Sequence, residues 1–319
     1  MKKHVVVLIA LCMLVLSGCS RVEIRFGTAA EGGIYNTFGK AFADILNEEY
    51  HSKYQLNVKN TAGSAANIRL LSEGYIRMGI AQSDVVNEMY YGETINDGKS
   101  YQGYSAIAAL YEEDVQIAVR KDSDVETLDD LDGKTVSVGQ EESGTERNAA
   151  QILSAYGLSE ENVHMVNYDY QDAIEHLLDG DVDVMFVTAG APADIFSENA
   201  DKIRFLSIEE NKIERILSMF DGYVSATINK GTYKGQDEDV RTIAVRSVLL
   251  ASNEVPEDTA RIVTEKLFEH QKELSDKTGV KLLDIGDASA SLSIPIHPGA
   301  VDYYKHAGID VEDGRDADD

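Results

Sequence analysis

At 319 residues the chain is long enough for two domains of ordinary size, and 43% hydrophobic residues with only four prolines exclude wholesale disorder. A formal charge of −27 excludes nucleic acid as a partner and a polybasic attachment to anionic lipid, because 29 scattered Lys and Arg cannot assemble a basic face. The acidic coat favours solubility in crowded surroundings and is compatible with a salt-adapted source.

The chain starts with the basic Lys2-Lys3-His4, followed by an uninterrupted apolar run from Val5 to Leu16. That run is too short to span a bilayer, which takes roughly 20 residues, and has the length of a signal-peptide core. It ends in Leu16-Ser17-Gly18-Cys19, which resembles the bacterial lipobox. Residues 1–18 are therefore expected to be a lipoprotein signal peptide, with lipid on Cys19 holding the mature chain to the outer face of a membrane or in the periplasm. Cys12 falls in the removed segment, so no disulfide framework and no thiol metal site is expected.

Val22 to Phe26 alternates apolar and polar residues and predicts a strand. Ile34, Phe38, Phe42, Ile45 and Leu46 recur at helical spacing. The Gly-rich loop between them, Gly27 to Gly33, permits close approach of a ligand to backbone. The helix start offers free N–H groups and partial positive charge, which suit a carboxylate. Tyr54 to Asn60 predicts a second strand feeding Thr61-Ala62-Gly63-Ser64-Ala65-Ala66-Asn67, where Ser64 is either an N-cap or a ligand contact. Met78 to Ala81 predicts a short strand that delivers Gln82-Ser83-Asp84 at its C-terminal end, where open α/β sheets bind ligands.

Tyr101 to Leu110 reads as a strand entering a Tyr111-Glu112-Glu113-Asp114 break, and Val115 to Arg120 as another that makes the first crossing between domains. Thr135 to Val138 leads through Ser143-Gly144-Thr145-Glu146 into a helix ending at Gly157, which repeats the strand–loop–helix design. A helix over Asp172–Leu178 precedes a strand from Val182 to Val187, which opens into Thr188-Ala189-Gly190-Ala191-Pro192. Ile203 to Ile208 predicts a strand, Val245 to Ala251 a strand or helix, and Asp258 to Leu274 an amphipathic helix. His297, between prolines, reads as a turn residue before a last helix at Tyr303-Tyr304, and 312–319 is an acidic tail.

Gly133-Lys134-Thr135 lacks the earlier glycine of a P-loop and follows two aspartates that would repel phosphate. No His-Glu-x-x-His or Gly-x-Ser-x-Gly occurs, and no two histidines of the mature chain share ligand-like helical spacing. No catalytic residue, metal or cofactor is expected, and the chain reads as a binding protein, not an enzyme.

Taken in order, the loops resemble the TAXI family of solute-binding proteins that serve TRAP transporters. The residues that carry the resemblance are Gly27-Thr28, Gly32-Gly33-Ile34-Tyr35, Thr61 to Leu71, Ser143 to Glu146, Ala189-Gly190-Ala191-Pro192, Gly231-Thr232-Tyr233 and Ile296 to Ala300. Ala29-Ala30-Glu31 departs from the pattern by placing a charge beside the presumed anion loop.

The resemblance implies an α/β, two-lobed fold of the periplasmic-binding-protein type (type II, Venus-flytrap). Such a fold closes on a small carboxylate or amino acid such as glutamate or glutamine and delivers it to TRAP membrane permease subunits. The expected division is 19–115 for the first lobe, 116–225 for the second and 226–311 for the return to the first. One jaw would carry Gly33, Tyr35, Ser64, Asn67 and Gln82, and the other Ser143, Gly144, Thr145, Thr188 and Gly190. Ser143 and Thr145, with the backbone of their turn, would hold the carboxylate, Tyr35 would cover the apolar part of the ligand, and Asn67 and Gln82 would suit a second polar end. A sensing lipoprotein of the same fold, or a secreted hydrolase assembled from distant segments, are the alternatives.

Overall fold

The computed structural model describes residues 22–31, 33–50, 54–92 and 98–311. The leader, Cys19, Gly32 and the acidic tail lie outside the described residues.

In the first lobe, β1 (Val22–Gly27) pairs in parallel with β2 (Tyr54–Lys59) and β3 (Met78–Gln82). The connections are α1 (Ile34–Tyr50) and α2 (Ser64–Ser72), and α3 (Ser83–Tyr91) follows β3 directly. The chain then enters β4 (Tyr104–Arg120), a single strand of 17 residues. The expected break at Tyr111–Asp114 does not occur. Glu112 is exposed and pairs with Arg246 at 3.2 Å, while Glu113 turns inward to Tyr35, so period-2 alternation carries the acids through without a turn.

The second lobe contains β5 (Thr135–Ser137), α4 (Gly144–Ala155), β6 (His164–Val166), α5 (Tyr170–Asp179) and β7 (Val184–Ala189). After these come α6 (Asp194–Ser197), β8 (Ile203–Phe205), α7 (Glu210–Met219) and β9 (Val224–Ile228). The ambiguous apolar stretch is a strand, β10 (Val240–Ser252), antiparallel to both β3 and β4. Helices α8 (Glu257–Glu269), α9 (Gln271–Thr278), α10 (Ile285–Ala290) and α11 (Pro298–His306) complete the first lobe. The strand order is β2-β1-β3-β10-β4-β7-β5-β6, with β8 on β4 and β9 on β10.

Helices on both faces of each half-sheet explain the near-continuous apolar strands. In β10, Leu249 and Ala251 enter the core with Phe26, Phe38 and Tyr304, whereas Val248 and Leu250 enter the opposite one with Ile68 and Val85. In β7, Val184 and Phe186 pack with Ile152 and Ile213, and Met185 and Val187 with Phe196 and Tyr233. Ile228, Tyr233, Val240, Ile243 and Val245 still belong to the second lobe's cores. We therefore place the return crossing inside β10, later than residue 226, with the β4–β10 ribbon as the shared connection. The ribbon is irregular between Arg246 and Val248, where the lobes meet.

His297 is the turn residue expected: its Nδ1 accepts from Gly299 N at 3.2 Å and its Nε2 lies 3.1 Å from the Val255 carbonyl. No helix of the described residues is long and apolar enough to cross a membrane.

Candidate functional site

The sheet brings the loops after β1, β2, β3, β5 and β7 to the line where the lobes meet, as the C-terminal ends of strands in open α/β sheets do. On the first lobe, Tyr35 in the first turn of α1 donates its hydroxyl hydrogen to Glu113 Oε2 at 2.8 Å, with the Ser64 hydroxyl beside it. Ser64 is the first residue of α2, not its cap, because Gly63 with φ 121° occupies the N-cap. Its hydroxyl instead accepts from Gln82 N at 3.1 Å and fixes α2 to the end of β3. Gly33 sits at the start of α1, where its carbonyl accepts from Thr37 N at 3.0 Å. Glu31 pairs with Lys40 at 3.2 Å, both exposed, so its charge faces solvent.

On the second lobe, Thr145 Oγ1 lies 2.7 Å from the Tyr170 hydroxyl and accepts from Thr188 N at 3.3 Å. Tyr170 also donates to the Thr188 carbonyl at 3.1 Å, and Thr188 Oγ1 donates to Asn148 Oδ1 at 2.8 Å. Burial raises the pKa of Tyr35, Tyr111 and Tyr170, and the negative charge of Glu113 in the β4 crossing raises each further. The Tyr111 hydroxyl and Gln82 Oε1 are buried and have no hydrogen-bond partner among the described residues.

Several expected contacts have other duties. Ser143 is the N-cap of α4, its hydroxyl accepting from Glu146 N at 3.0 Å, so it is committed to the helix. Gly144 lies under the Gln82 side chain: a Cβ there would meet Gln82 Oε1 at 2.2 Å. The amide thus covers the helix start that the sequence reading gave to a carboxylate. Asn67 is fully buried and donates to the Thr28 and Ile80 carbonyls at 2.6 and 2.8 Å while accepting from Thr61 at 2.8 Å. It ties the first-lobe loops together. Gly190 packs against Val280 and Ile34 of the first lobe, where a Cβ would lie 2.9 Å and 3.8 Å from their methyls.

Electrostatically the seam is acidic. Burial pushes Glu113 up to about 8, against the opposing Tyr35 hydrogen bond, and pushes Asp84 and Asp114 up to about 6. The guanidinium of Arg147 reaches Glu88 at 3.6 Å. Arg69, which had no assignable role in the sequence, forms a two-armed pair with Glu142 across the lobes at 2.9 and 3.0 Å. Glu142 holds a φ of 61° to do so, and its carbonyl accepts from Ala66 N at 3.4 Å. Beside this pair an open groove of about 760 Å³ is lined by Ala65, Arg69 and Met89 on one lobe and Ser143, Glu146 and Arg147 on the other. The groove runs between the lobes, and Tyr35, Glu113, Thr145, Tyr170 and Thr188 are not in its lining.

Sequence reasoning missed Glu113, Tyr170 and Asn148, and placed Asp84 at the end of β3 without a role of its own. The acids of β4 read as a break, which hid Glu113. Asn148 did leave a signal: Thr145, Asn148 and Gln151 form a polar row at helical spacing, all buried. Among the described residues Glu49, Glu269 and His270 bring possible metal ligands within 4.8 Å of one another, but Lys266 already pairs with Glu49 at 2.7 Å and also with Glu269.

The model of the NMT1-like family matches residues 26–308. Among solved structures the chain is similar to the periplasmic binding protein BugD, with 14% identity, 91% of this chain and 99% of that one covered, and a TM-score of 0.55. It is also similar to MatC of Rhodopseudomonas palustris with bound malate, at 12% identity, 82% and 90% coverage and a TM-score of 0.55. A further structure, of a periplasmic transporter, matches at 15% identity, 82% and 88% coverage and a TM-score of 0.53. These likenesses establish the two-lobed α/β fold of periplasmic binding proteins.

Proposed function

The chain belongs to the NMT1-like family, and on that footing we propose that it is an extracytoplasmic solute-binding protein which closes its two lobes on a small carboxylate or amino acid. One observation carries this reading: Tyr35 and Glu113 on one side and Thr145 and Thr188 on the other are buried at the seam, with the half-buried Tyr170 between Glu113 and Thr145. Buried polar groups of this density are costly unless they serve a partner or a fixed network. Tyr35, Ser64, Gln82, Thr145, Tyr170 and Thr188 are the residues we assign to the ligand, with Glu113 held behind Tyr35. Asn67, Ser143 and Gly190 hold the walls in place, Gly144 gives room to the Gln82 amide that lies over it, and Gly33 leaves room for the backbone approach.

The loop motifs that resemble the TAXI family favour a TRAP permease as recipient and glutamate or glutamine as cargo. MatC, similar in fold, was solved with malate, which supports a small carboxylate as the other class. Lipid on Cys19 would tether the protein to the membrane that holds the permease.

The test is thermal unfolding of the chain from Ser20 onward with a panel of amino acids, dicarboxylates and keto acids. A ligand at about a hundred times its dissociation constant adds roughly 2.7 kcal/mol and shifts the midpoint by several degrees. One compound that does so without being turned over supports the reading. No shift after any co-purified ligand has been removed by unfolding and refolding overturns it.

A further inference from the structure

Asp84 occupies the first turn of α3 on the first lobe and is only 2% exposed. Most of what encloses it comes from the second lobe. Its Oδ2 accepts from Asn148 Nδ2 of α4 at 2.8 Å, and the Tyr223 hydroxyl lies against the same carboxyl. Gly222 presses its backbone onto Asp84: a Cβ there would sit 2.6 Å from the Asp84 Cα, and its φ of 91° also favours glycine. The neighbouring Ser83 hydroxyl donates to the Gly222 carbonyl at 3.1 Å while accepting from Arg246 N. The other carboxyl oxygen, Oδ1, is buried with no hydrogen-bond partner among the described residues.

Charges around this seat do not balance. Facing Asp84 are Arg147 and Tyr223 from the second lobe, Glu88 one turn along α3, and Glu113 from β4. Arg147 thus acts on two of these carboxyl groups, Asp84 and Glu88, reaching Glu88 at 3.6 Å, while Glu113 adds a further negative charge beside Asp84 when ionised. When the lobes part, Asn148, Tyr223 and Gly222 leave with the second lobe, and Asp84 returns to water.

We propose that lobe closure in this protein is linked to protonation: Asp84 takes up a proton as it enters the Asn148–Tyr223–Gly222 seat and releases it on opening. The idea deepens the solute-binding reading, and rests on it for the meaning of closure, but not for its test. Burial favours the neutral acid and outweighs the Val85 and Asp84 N–H groups, the Tyr223 hydroxyl and Arg147, which favour the anion; a proton on Oδ1 leaves the bond from Asn148 to Oδ2 in place. Closure is then favoured as pH falls and opposed as it rises. With Asp84 near 6 when seated and at an ordinary carboxylate value when open, the closed-to-open ratio should rise about tenfold between about pH 8 and about pH 5 from this group. Glu113 adds a dependence of the same sign that extends to higher pH, to the extent that closure desolvates it.

The experiment needs no ligand. The chain from Ser20 onward contains no cysteine, and the cores of the described residues begin at Ile24, after the omitted leader. Dyes on Tyr75→Cys and Glu160→Cys, one exposed position on each lobe, report interlobe distance by energy transfer. The free protein should shift toward the short distance as pH falls. Asp84→Asn keeps the acceptor for Asn148 and should favour the short distance already at about pH 8, with about one proton less taken up in closure below pH 6. Asn148→Leu, which removes the seat, should favour the long distance throughout. A wild-type distance distribution that ignores pH, or an Asp84→Asn variant with unaltered pH dependence, would overturn the proposal. Because the ligand panel is a separate measurement, a panel without any binder would defeat the solute-binding reading and leave this one standing.

Discussion

Gly144→Ala is the substitution whose consequence follows most directly from the contact between lobes. Gly144 opens α4 on the second lobe, and Gln82 ends β3 on the first. A methyl at Gly144 would lie 2.2 Å from Gln82 Oε1, 2.3 Å from Cδ and 2.6 Å from Nε2. Gln82 is only 3% exposed, so the amide has to move through packed surroundings or the lobes have to stand apart. Overpacking of this kind costs about 1–3 kcal/mol, and here the cost falls on the closed arrangement alone. Since each 1.4 kcal/mol is tenfold in affinity, ligand binding should weaken by about 5- to 150-fold. The open lobe carries no such clash, and alanine is the better helix former by up to about 1 kcal/mol. The loss should therefore appear in affinity while the far-UV spectrum and cooperative unfolding persist. Titration calorimetry on wild type, Gly144→Ala, Gln82→Ala and the double variant separates the terms. Without the Gln82 amide, the added methyl should weaken binding by less than about threefold. Wild-type affinity in Gly144→Ala, or the full penalty persisting after Gln82→Ala, would refute the reasoning.

Glu113 sets a second expectation. Its raised pKa means that the folded chain retains a proton which the unfolded chain gives up at ordinary carboxylate values. Stability from this group is complete below that ordinary value and is lost as pH rises toward about 8. Above about pH 6.5 Asp84 and Asp114 are mostly ionised already, so urea unfolding between there and pH 8 should slope downward by up to about 1.4 kcal/mol per pH unit. Glu113→Gln should flatten it, and an unchanged slope speaks against the buried acid. Asn67→Ala removes three buried hydrogen bonds, to the Thr28 and Ile80 carbonyls and from the Thr61 hydroxyl, with Thr61 still reaching the Thr28 carbonyl at 2.9 Å, and should cost about 2–3 kcal/mol in the same assay. Its ligand affinity, measured below the melting range, should stay within about threefold of wild type. A large affinity loss at full stability would return Asn67 to the ligand. Cys19→Ser should move the expressed protein from the membrane fraction to the soluble one; an unaltered distribution argues against the lipid anchor.

How far the sequence revealed these features depended on whether each was a local pattern. Strand–loop–helix units at Phe26–Ile34 and Val138–Thr145 were readable because strand alternation, small residues and helical spacing each leave a local trace. The continuity of β4 was not, since Glu112-Glu113-Asp114 looks like a break until Arg246 and Tyr35 are present to partner Glu112 and Glu113. The same holds for the helix start at Gly144. Locally it is an anion site, and only the three-dimensional arrangement shows Gln82 lying over it. Ser143 reads from the sequence as a carboxylate contact; its bond from Glu146 N makes it the cap of α4. Asp84 and Asn148 lie 64 residues apart, and nothing local in either segment announces their pairing.

The most direct measurement is native mass spectrometry of the protein, stripped of bound small molecules by unfolding and refolding, then incubated with the panel of amino acids, dicarboxylates and keto acids. It would be run on wild type and on a Tyr35→Phe, Thr145→Val double variant. One small molecule per chain on the wild type, absent from a double variant that still unfolds cooperatively, is the result expected of a ligand held between Tyr35 and Thr145. A wild type that retains none of the panel, or a double variant that binds as the wild type does, would contradict it.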